Sequence, residues 1–274
     1  MVLRIGLVCL FLLSIVHAQR SGTSGAAPSV AGGAASAATP SGAASGASGG
    51  QGAGATRDHG ADALIKAFEV QKWYSQLGDT AEVNEIRYTS SARHKPQNPT
   101  APGAKNPLII HAMTFVPKNI DRTKKQPLIV FAHQGIHSDF GHDYEYAVVK
   151  DLVRQGYCVI GPDYRGSTGY GAAFFNEIDY GGLEVEDVFR ARAWMLENYD
   201  FLDEKRVGMI GWSHGGMIAL MNILLHPGAY AVAYAGVPVT DLVLRLGYHD
   251  ASYQAIFSAP QHIGKPYREI FKSI

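Results

Sequence analysis

The chain has 274 residues, of which 46% are hydrophobic and 18% are charged, with 24 basic and 24 acidic side chains. This is normal usage for one globular domain that buries a sizeable core. The formal charge is zero and no basic run occurs, so the sequence gives no reason to expect nucleic acid or an anionic membrane surface as a partner. A peptide or another small molecule is the expected substrate.

The N-terminus has the features of a secretory signal peptide. Arg4 precedes an uninterrupted apolar stretch over 5–16, and Ala18 supplies a small residue for cleavage, so we predict a signal peptide over residues 1–18. The stretch is shorter than the apolar segment that a transmembrane helix normally needs. The alternative is an uncleaved N-terminal anchor. We therefore expect a secreted or periplasmic protein with no stable membrane span after cleavage.

A region of low complexity follows the signal peptide. From 21 to 56 the chain consists almost entirely of Gly, Ala and Ser, without a charged or aromatic residue. Such a segment cannot bury enough surface to offset the entropy of ordering, which predicts a flexible linker over 19–57. The folded domain is then expected over 58–274. Its single cysteine, Cys158, lies in an apolar strand pattern and is predicted to be a buried, inert thiol.

Strand and helix patterns alternate through the rest of the chain. In chain order they predict a helix over 61–77, strands over 83–89, 107–117 and 127–132, a helix over 144–154, a strand over 157–161, a helix over 185–199, a strand over 206–210, a helix over 217–225 and a strand over 230–237. This alternation predicts an α/β fold in which a mostly parallel sheet carries helices on both faces. Its reactive loops should lie at the carboxyl ends of the strands.

A serine stands between the strand predicted over 206–210 and the helix predicted over 217–225. The segment Gly211–Gly216 contains the pattern Gly-x-Ser-x-Gly, which predicts a nucleophile elbow with Ser213 exposed at the top of the sheet. The positive end of the helix that follows would favour a developing oxyanion. The alternative is a glycine-rich turn that carries an ordinary serine.

A second loop follows the strand that ends at residue 132. Gly135 can bring its backbone close to a substrate carbonyl, and we predict that its N–H and that of His214 form an oxyanion hole. The alternative for Gly135 is a plain strand-to-helix turn. A third loop contains Arg165, which could orient a substrate carboxylate or, as the alternative, support the glycine-rich loop around it.

Four segments of the chain, in this order, cover 163–171, 181–188, 206–216 and 235–241. Taken together, they resemble the catalytic domain of prolyl oligopeptidase-type serine peptidases, in particular the dipeptidyl-peptidase and acylaminoacyl-peptidase branches, where they occur in the same order. The resemblance extends from about Val83 to the C-terminus. It implies an α/β-hydrolase fold, Ser213 as the nucleophile, and cleavage of peptide or ester acyl bonds.

The chain departs from the family in three respects. The usual His-Gly-Gly-Pro of the oxyanion loop is replaced by His133-Gln134-Gly135-Ile136, and no β-propeller is recognisable upstream. The family's triad Asp and His follow later strands, so we expect these residues, with the last strands of the sheet, beyond Ile274. These departures keep two alternatives to a peptidase open. One is a carboxylesterase of the same fold, and the other is a catalytically incomplete remnant or binding module.

The remaining candidates for a general base or triad acid are expected to have structural roles. His226 is placed at the end of a predicted helix, and His249 and His262 fall in a segment that supports substrate binding in relatives. Asp241 and Asp250 have the pattern of turn or helix-start residues.

The sequence predicts neither a metal ion nor a cofactor. Three histidines and two aspartates cluster in one segment, but the segment has the pattern of a loop and contains no His-Glu-x-x-His motif. These residues are His133, His137, Asp139, His142 and Asp143.

Overall fold

A computed structural model describes residues 57–93, 98–251, 253 and 257. The predicted signal peptide, all but the last residue of the predicted linker and His262 lie outside the described residues. The described elements, in chain order, are α1 (His59–Leu77), β1 (Ala81–Ala92), β2 (Pro107–Pro117), β3 (Gln126–Ala132), α2 (Asp143–Arg154), β4 (Cys158–Asp163), α3 (Gly171–Phe175), α4 (Leu183–Asn198), β5 (Leu202–Trp212), α5 (His214–Leu225), β6 (Val232–Gly236) and α6 (Leu242–Gly247).

The strands form one mixed sheet in the order β1-β2-β4-β3-β5-β6. The pairs β1–β2 and β2–β4 are antiparallel, whereas β4–β3, β3–β5 and β5–β6 are parallel. The predicted sheet is therefore confirmed as mostly parallel, with an antiparallel margin at β1 and β2. Because β3, β4, β5 and β6 run in the same direction, the loops that follow them meet at one edge of the sheet.

Helices cover both faces of this sheet, as the alternation predicted. On the central strand β3, Val130 faces the core layer that includes α4 and α5, and Phe131 faces the layer that includes α1 and α2. Every residue of β3 after Gln126 is buried. This explains the continuous apolar run in the sequence, because a parallel strand with helices on both sides has no solvent face.

The predicted elements occur close to their predicted positions, and two short helices were missed. The helices α3 and α6 have 5 and 6 residues, too few for a helical period to be visible in the sequence. Cys158 is buried, and burial raises the pKa of its thiol to about 12, in agreement with an inert core residue. None of the helices in the described part of the chain has the length and apolar character needed to cross a membrane.

Candidate active site

Ser213 occupies the turn between β5 and α5, so the predicted arrangement of strand, serine and helix is confirmed. Its backbone is left-handed, with φ at 54° and ψ at −116°. A residue with a side chain adopts such a conformation only where the surrounding structure enforces it, and such strain concentrates at active sites. The Ser213 N–H donates to the Gly236 carbonyl at 2.9 Å, which fixes the turn against the end of β6.

Two glycines make this turn possible because backbone atoms occupy the space of a side chain. A Cβ atom on Gly211 would lie 2.1 Å from the Gly215 carbonyl oxygen, and a Cβ atom on Gly215 would lie 2.4 Å from the carbonyl oxygens of Ala132 and His133. The second contact joins the start of α5 to the loop after β3. The Gly-x-Ser-x-Gly pattern is therefore required by packing as well as by the turn itself.

The loop after β3 presents the second predicted donor of the oxyanion hole. Gly135 has a φ of 76°, and its carbonyl oxygen lies 2.6 Å from the Tyr164 hydroxyl, which is also 3.1 Å from the His133 carbonyl oxygen. These contacts fix the peptide planes of the loop. The His214 N–H lies in the first turn of α5, where an α-helix offers no acceptor of its own. Both predicted donors thus lie in loops at the same sheet edge as Ser213, and their catalytic role stays a prediction.

The side chain of His214 points away from solvent and meets a buried glutamate. His214 Nε2 lies 3.3 Å from Glu184 Oε1, and the two side chains are 1% and 0% exposed. Burial opposes ionisation of Glu184, but the contact with His214 and the N–H of Gly181 outweigh it and lower the pKa of the carboxyl. The Glu184 carboxylate therefore holds the side chain of His214, the residue after Ser213. The sequence pattern indicated no role for Glu184, although this residue lies in one of the four family-like segments.

Arg165 does not orient a substrate, and the prediction of that role is wrong. Its side chain is 0% exposed, and Nε and Nη2 donate to the two carboxylate oxygens of Asp187 at 2.8 and 2.9 Å. The remaining donors, Nη1 and Nη2, reach the carbonyls of Ala92 and Ser91. Because the guanidinium is buried and bound on all sides, Arg165 supports the loop after β4, which was the alternative role.

A buried ion-pair network lies beneath the same loops. Lys66 of α1 places Nζ 2.7 Å from Asp163 Oδ2 and 3.1 Å from Asp139 Oδ2. It also donates to the Phe140 carbonyl at 3.0 Å. Burial alone would lower the pKa of Lys66, but the two carboxylates outweigh it and raise the pKa. This network links α1 to the loop after β3 and to the end of β4, and nothing in the sequence indicated it.

The histidines of the loop after β3 have separate contacts. His133 Nε2 lies 2.8 Å from Ser167 Oγ, His137 Nδ1 lies 2.8 Å from the Gly166 carbonyl oxygen, and His142 contacts Glu145 at 3.8 Å. Burial lowers the pKa of His137 to about 4, so this side chain is neutral at neutral pH. Within the described ranges, no group of three His, Cys, Asp or Glu side chains is placed to hold a metal ion.

The other candidate bases and acids make structural contacts of the kind expected from the sequence. His226 caps the far end of the 12-residue helix α5, about 18 Å from Ser213 along the helix axis, and its ring stacks on Phe189. His249 stacks on Tyr253. The carboxylates of Asp241 and Asp250 accept backbone N–H groups at helix starts. Among the described side chains, no histidine is hydrogen bonded to Ser213 Oγ.

A cleft of about 340 Å³ opens beside Ser213. Its walls come from the loop after β6 and from α6, with Tyr253 closing one side. The lining residues are Ser213, Val237, Pro238, Val239, Thr240, Asp241, Leu244, Arg245 and Tyr253. The sequence did not predict this cleft, because its members come together only when β6 pairs with β5. An acyl group attacked by Ser213 would place its side chain here.

Residues 143–269 match the model of the prolyl oligopeptidase family. Dipeptidyl peptidase 8 of Mus musculus is 31% identical over 150 residues, which cover 53% of this chain and 16% of that protein. The acylamino-acid-releasing enzyme of Mus musculus is 31% identical over 145 residues, which cover 52% of this chain and 20% of that protein. The chain thus spans a fifth or less of the length of these relatives.

Solved structures show the same fold. The acylaminoacyl peptidase of Pyrococcus horikoshii superposes with a TM-score of 0.54 at 20% sequence identity, over 70% of this chain and 29% of that one. The predicted α/β-hydrolase fold is confirmed by this likeness together with the mixed sheet. Residues 143–269 of this chain are therefore similar to the prolyl oligopeptidase family, and the fold is that of an α/β-hydrolase.

Proposed function

We propose that the protein is a serine peptidase in which Ser213 attacks the carbonyl carbon of a peptide bond. The strained backbone of Ser213, held between β5 and α5, is the observation that carries this proposal. The family match and the peptidase relatives support the same reaction class.

The proposed reaction uses the groups that lie around Ser213. Oγ of Ser213 adds to the carbonyl carbon, and the N–H groups of His214 and Gly135 stabilise the negative oxygen of the tetrahedral intermediate. On collapse of the intermediate the C–N bond breaks, the leaving nitrogen takes up the proton that Oγ has lost, and the amine departs. The acyl-enzyme that remains is then hydrolysed by water. A serine hydroxyl needs a general base for this step. The described side chains in contact with Ser213 do not include that base.

Labelling with a fluorophosphonate probe tests the nucleophile. We expect the full-length protein to be labelled at Ser213, because an activated serine reacts with such probes, and we expect Ser213→Ala to abolish the labelling. Ser167→Ala is a matched control, since Ser167 is buried and bound to His133. Labelling that persists at full strength in Ser213→Ala, or a complete absence of labelling in the wild type, would refute the proposal.

A small ester is the second candidate substrate. Esters react through the same acyl-enzyme and have a better leaving group, and the described walls of the cleft come only from the edge of the sheet that holds Ser213. We therefore expect hydrolysis of p-nitrophenyl esters as well as of short peptide amides. Peptide hydrolysis without any esterase activity would count against an open cleft.

We also propose that the protein is secreted or periplasmic. The support is the sequence pattern over 1–18, with Arg4 ahead of the apolar stretch and Ala18 at its end. N-terminal sequencing of the protein recovered outside the cytoplasm should begin at Gln19. Recovery only in the cytoplasm with Met1 retained would contradict this proposal.

A further inference from the structure

Arg245 brings a positive charge into the cleft beside Ser213. The wall combines apolar and polar side chains, and Arg245 is the one cationic side chain among the described lining residues. The position is fixed by α6, whose first turn is capped when the Asp241 carboxylate accepts the Leu244 N–H at 2.8 Å. A substrate side chain next to the attacked carbonyl would therefore lie near a guanidinium group.

The guanidinium is held in place by aromatic rings rather than by a carboxylate. Nε donates to the Tyr253 hydroxyl at 3.0 Å, and the group lies over the rings of Tyr253 and Phe257 at 5.6 and 4.9 Å. Among the described residues, no carboxylate forms an ion pair with Arg245. The Asp241 carboxylate, which also lines the cleft, is engaged at the start of α6. The Nη donors thus remain available to a ligand.

Tyr180 adds a second polar group next to the elbow. Its side chain lies edge-on to the His214 ring, with ring centroids 5.1 Å apart, so it adjoins the residue after the nucleophile. Its hydroxyl is buried and has no hydrogen-bond partner within the described part of the chain. Burial raises the pKa of Tyr180, and the charge of Arg245 opposes this shift. A buried hydroxyl without a partner in the described structure is a group that a bound ligand can use.

We propose that Arg245, assisted by the Tyr180 hydroxyl, binds the carboxylate side chain of a glutamate or aspartate on the acyl side of the scissile bond. The planar guanidinium matches a carboxylate with two parallel hydrogen bonds, and its preorganisation by the two rings reduces the entropy lost on binding. This inference rests on the proposed function, since it takes Ser213 as the attacking group. It adds a substrate class to that function.

Paired substrates test the inference. The full-length protein is assayed on peptide 4-nitroanilides, with free and with acetylated N-termini, that differ only in Glu or Gln at the acyl residue. The wild type should favour Glu in kcat/KM by at least about 10-fold, the effect of one charge-assisted hydrogen bond. Arg245→Gln should reduce this ratio to about 1, and Arg245→Lys should retain part of it. Tyr180→Phe should lower the ratio by a smaller factor.

The outcomes separate the two proposals. Equal turnover of the Glu and Gln substrates by the wild type overturns the inference and leaves the peptidase proposal intact. If Arg245→Gln slows both substrates and preserves their ratio, Arg245 serves only the structure of α6 and the inference is again overturned. If neither substrate is cleaved and the fluorophosphonate probe does not label Ser213, the proposed function itself fails.

Discussion

At the scale of single residues, backbone contacts next to Ser213 leave no space for a side chain at position 215. The space beside Gly215 is filled by the carbonyl oxygens of Ala132 and His133, which belong to a different loop. Peptide groups of that loop are in turn held by the Tyr164 hydroxyl. A side chain of one carbon atom at Gly215 would therefore move the loop after β3 and the elbow apart.

Gly215→Ala should lower both stability and activity. The added Cβ would meet two carbonyl oxygens at 2.4 Å, so the loop after β3 must shift, at a cost of about 3 kcal/mol. Gly228→Ala is the matched control. Its φ is 85° but nothing lies within 4 Å of the added atom, so the cost is limited to about 1 kcal/mol of backbone strain. Urea unfolding of both variants measures the difference, and equal losses would contradict the steric explanation.

At the scale of elements, α1 is joined to the catalytic edge of the sheet by charge as well as by apolar packing. Trp73 packs against Phe140, and Lys66 reaches Asp139 and Asp163. The lysine and its two partners are nearly inaccessible, with side chains 6%, 9% and 1% exposed. Removal of the lysine charge would leave the carboxylates of Asp139 and Asp163 buried without their ion-pair partner. This lowers the free energy of unfolding more than the loss of a surface ion pair does.

Lys66→Met should therefore destabilise the protein by about 3–5 kcal/mol at neutral pH. Part of this loss should be recovered at lower pH, because the pKa of Asp139 is held below its ordinary value by Lys66 against the effect of burial and would rise without it. Lys72→Met, on the same helix, removes a pair with Asp143, which is 94% exposed, and should cost about 1 kcal/mol. Similar losses in both variants, measured by denaturant unfolding, would show that the buried network contributes little.

At the scale of the whole molecule, the half-buried carboxyl of Glu69 contributes to the pH dependence of stability. Glu69 of α1 has an Oε2 atom that is buried without a hydrogen-bond partner among the described residues. Burial, reinforced by the charge of Asp139, raises the pKa of Glu69 above its ordinary value of 4.5. The folded state then keeps a proton that the unfolded state releases above pH 4.5. The contribution of Glu69 to stability therefore falls as the pH rises through and above this value.

Glu69→Gln should remove this dependence, because glutamine resembles the neutral carboxyl. The free energy of unfolding of the variant, relative to the wild type, should increase steadily from pH 4.5 towards alkaline pH. Glu197→Gln, at an exposed position of α4, controls for the general loss of a carboxylate. A difference between Glu69→Gln and the wild type that does not change with pH would mean that Glu69 is ionised in the folded protein.

The sequence by itself determined the order of strands and helices, the mostly parallel sheet and the position of Ser213 at an elbow. These features depend on local periodicity and on glycine at fixed offsets, which are visible within a short stretch of chain. The same information also led to the structural roles of Asp241 and His226.

Only the tertiary structure decided which charged residues, far apart in the sequence, form ion pairs, and which residues line the cleft beside Ser213. Arg165 was equally compatible with a substrate and with a buried partner until Asp187 was placed beside it. Lys66 lies on a helix with no motif, and its partners follow β3 and β4, far along the chain. The cleft that holds Arg245 forms only where the loop after β6 meets the elbow. Burial and charge pairing depend on contacts across the sheet, and the sequence pattern of a single element does not contain them.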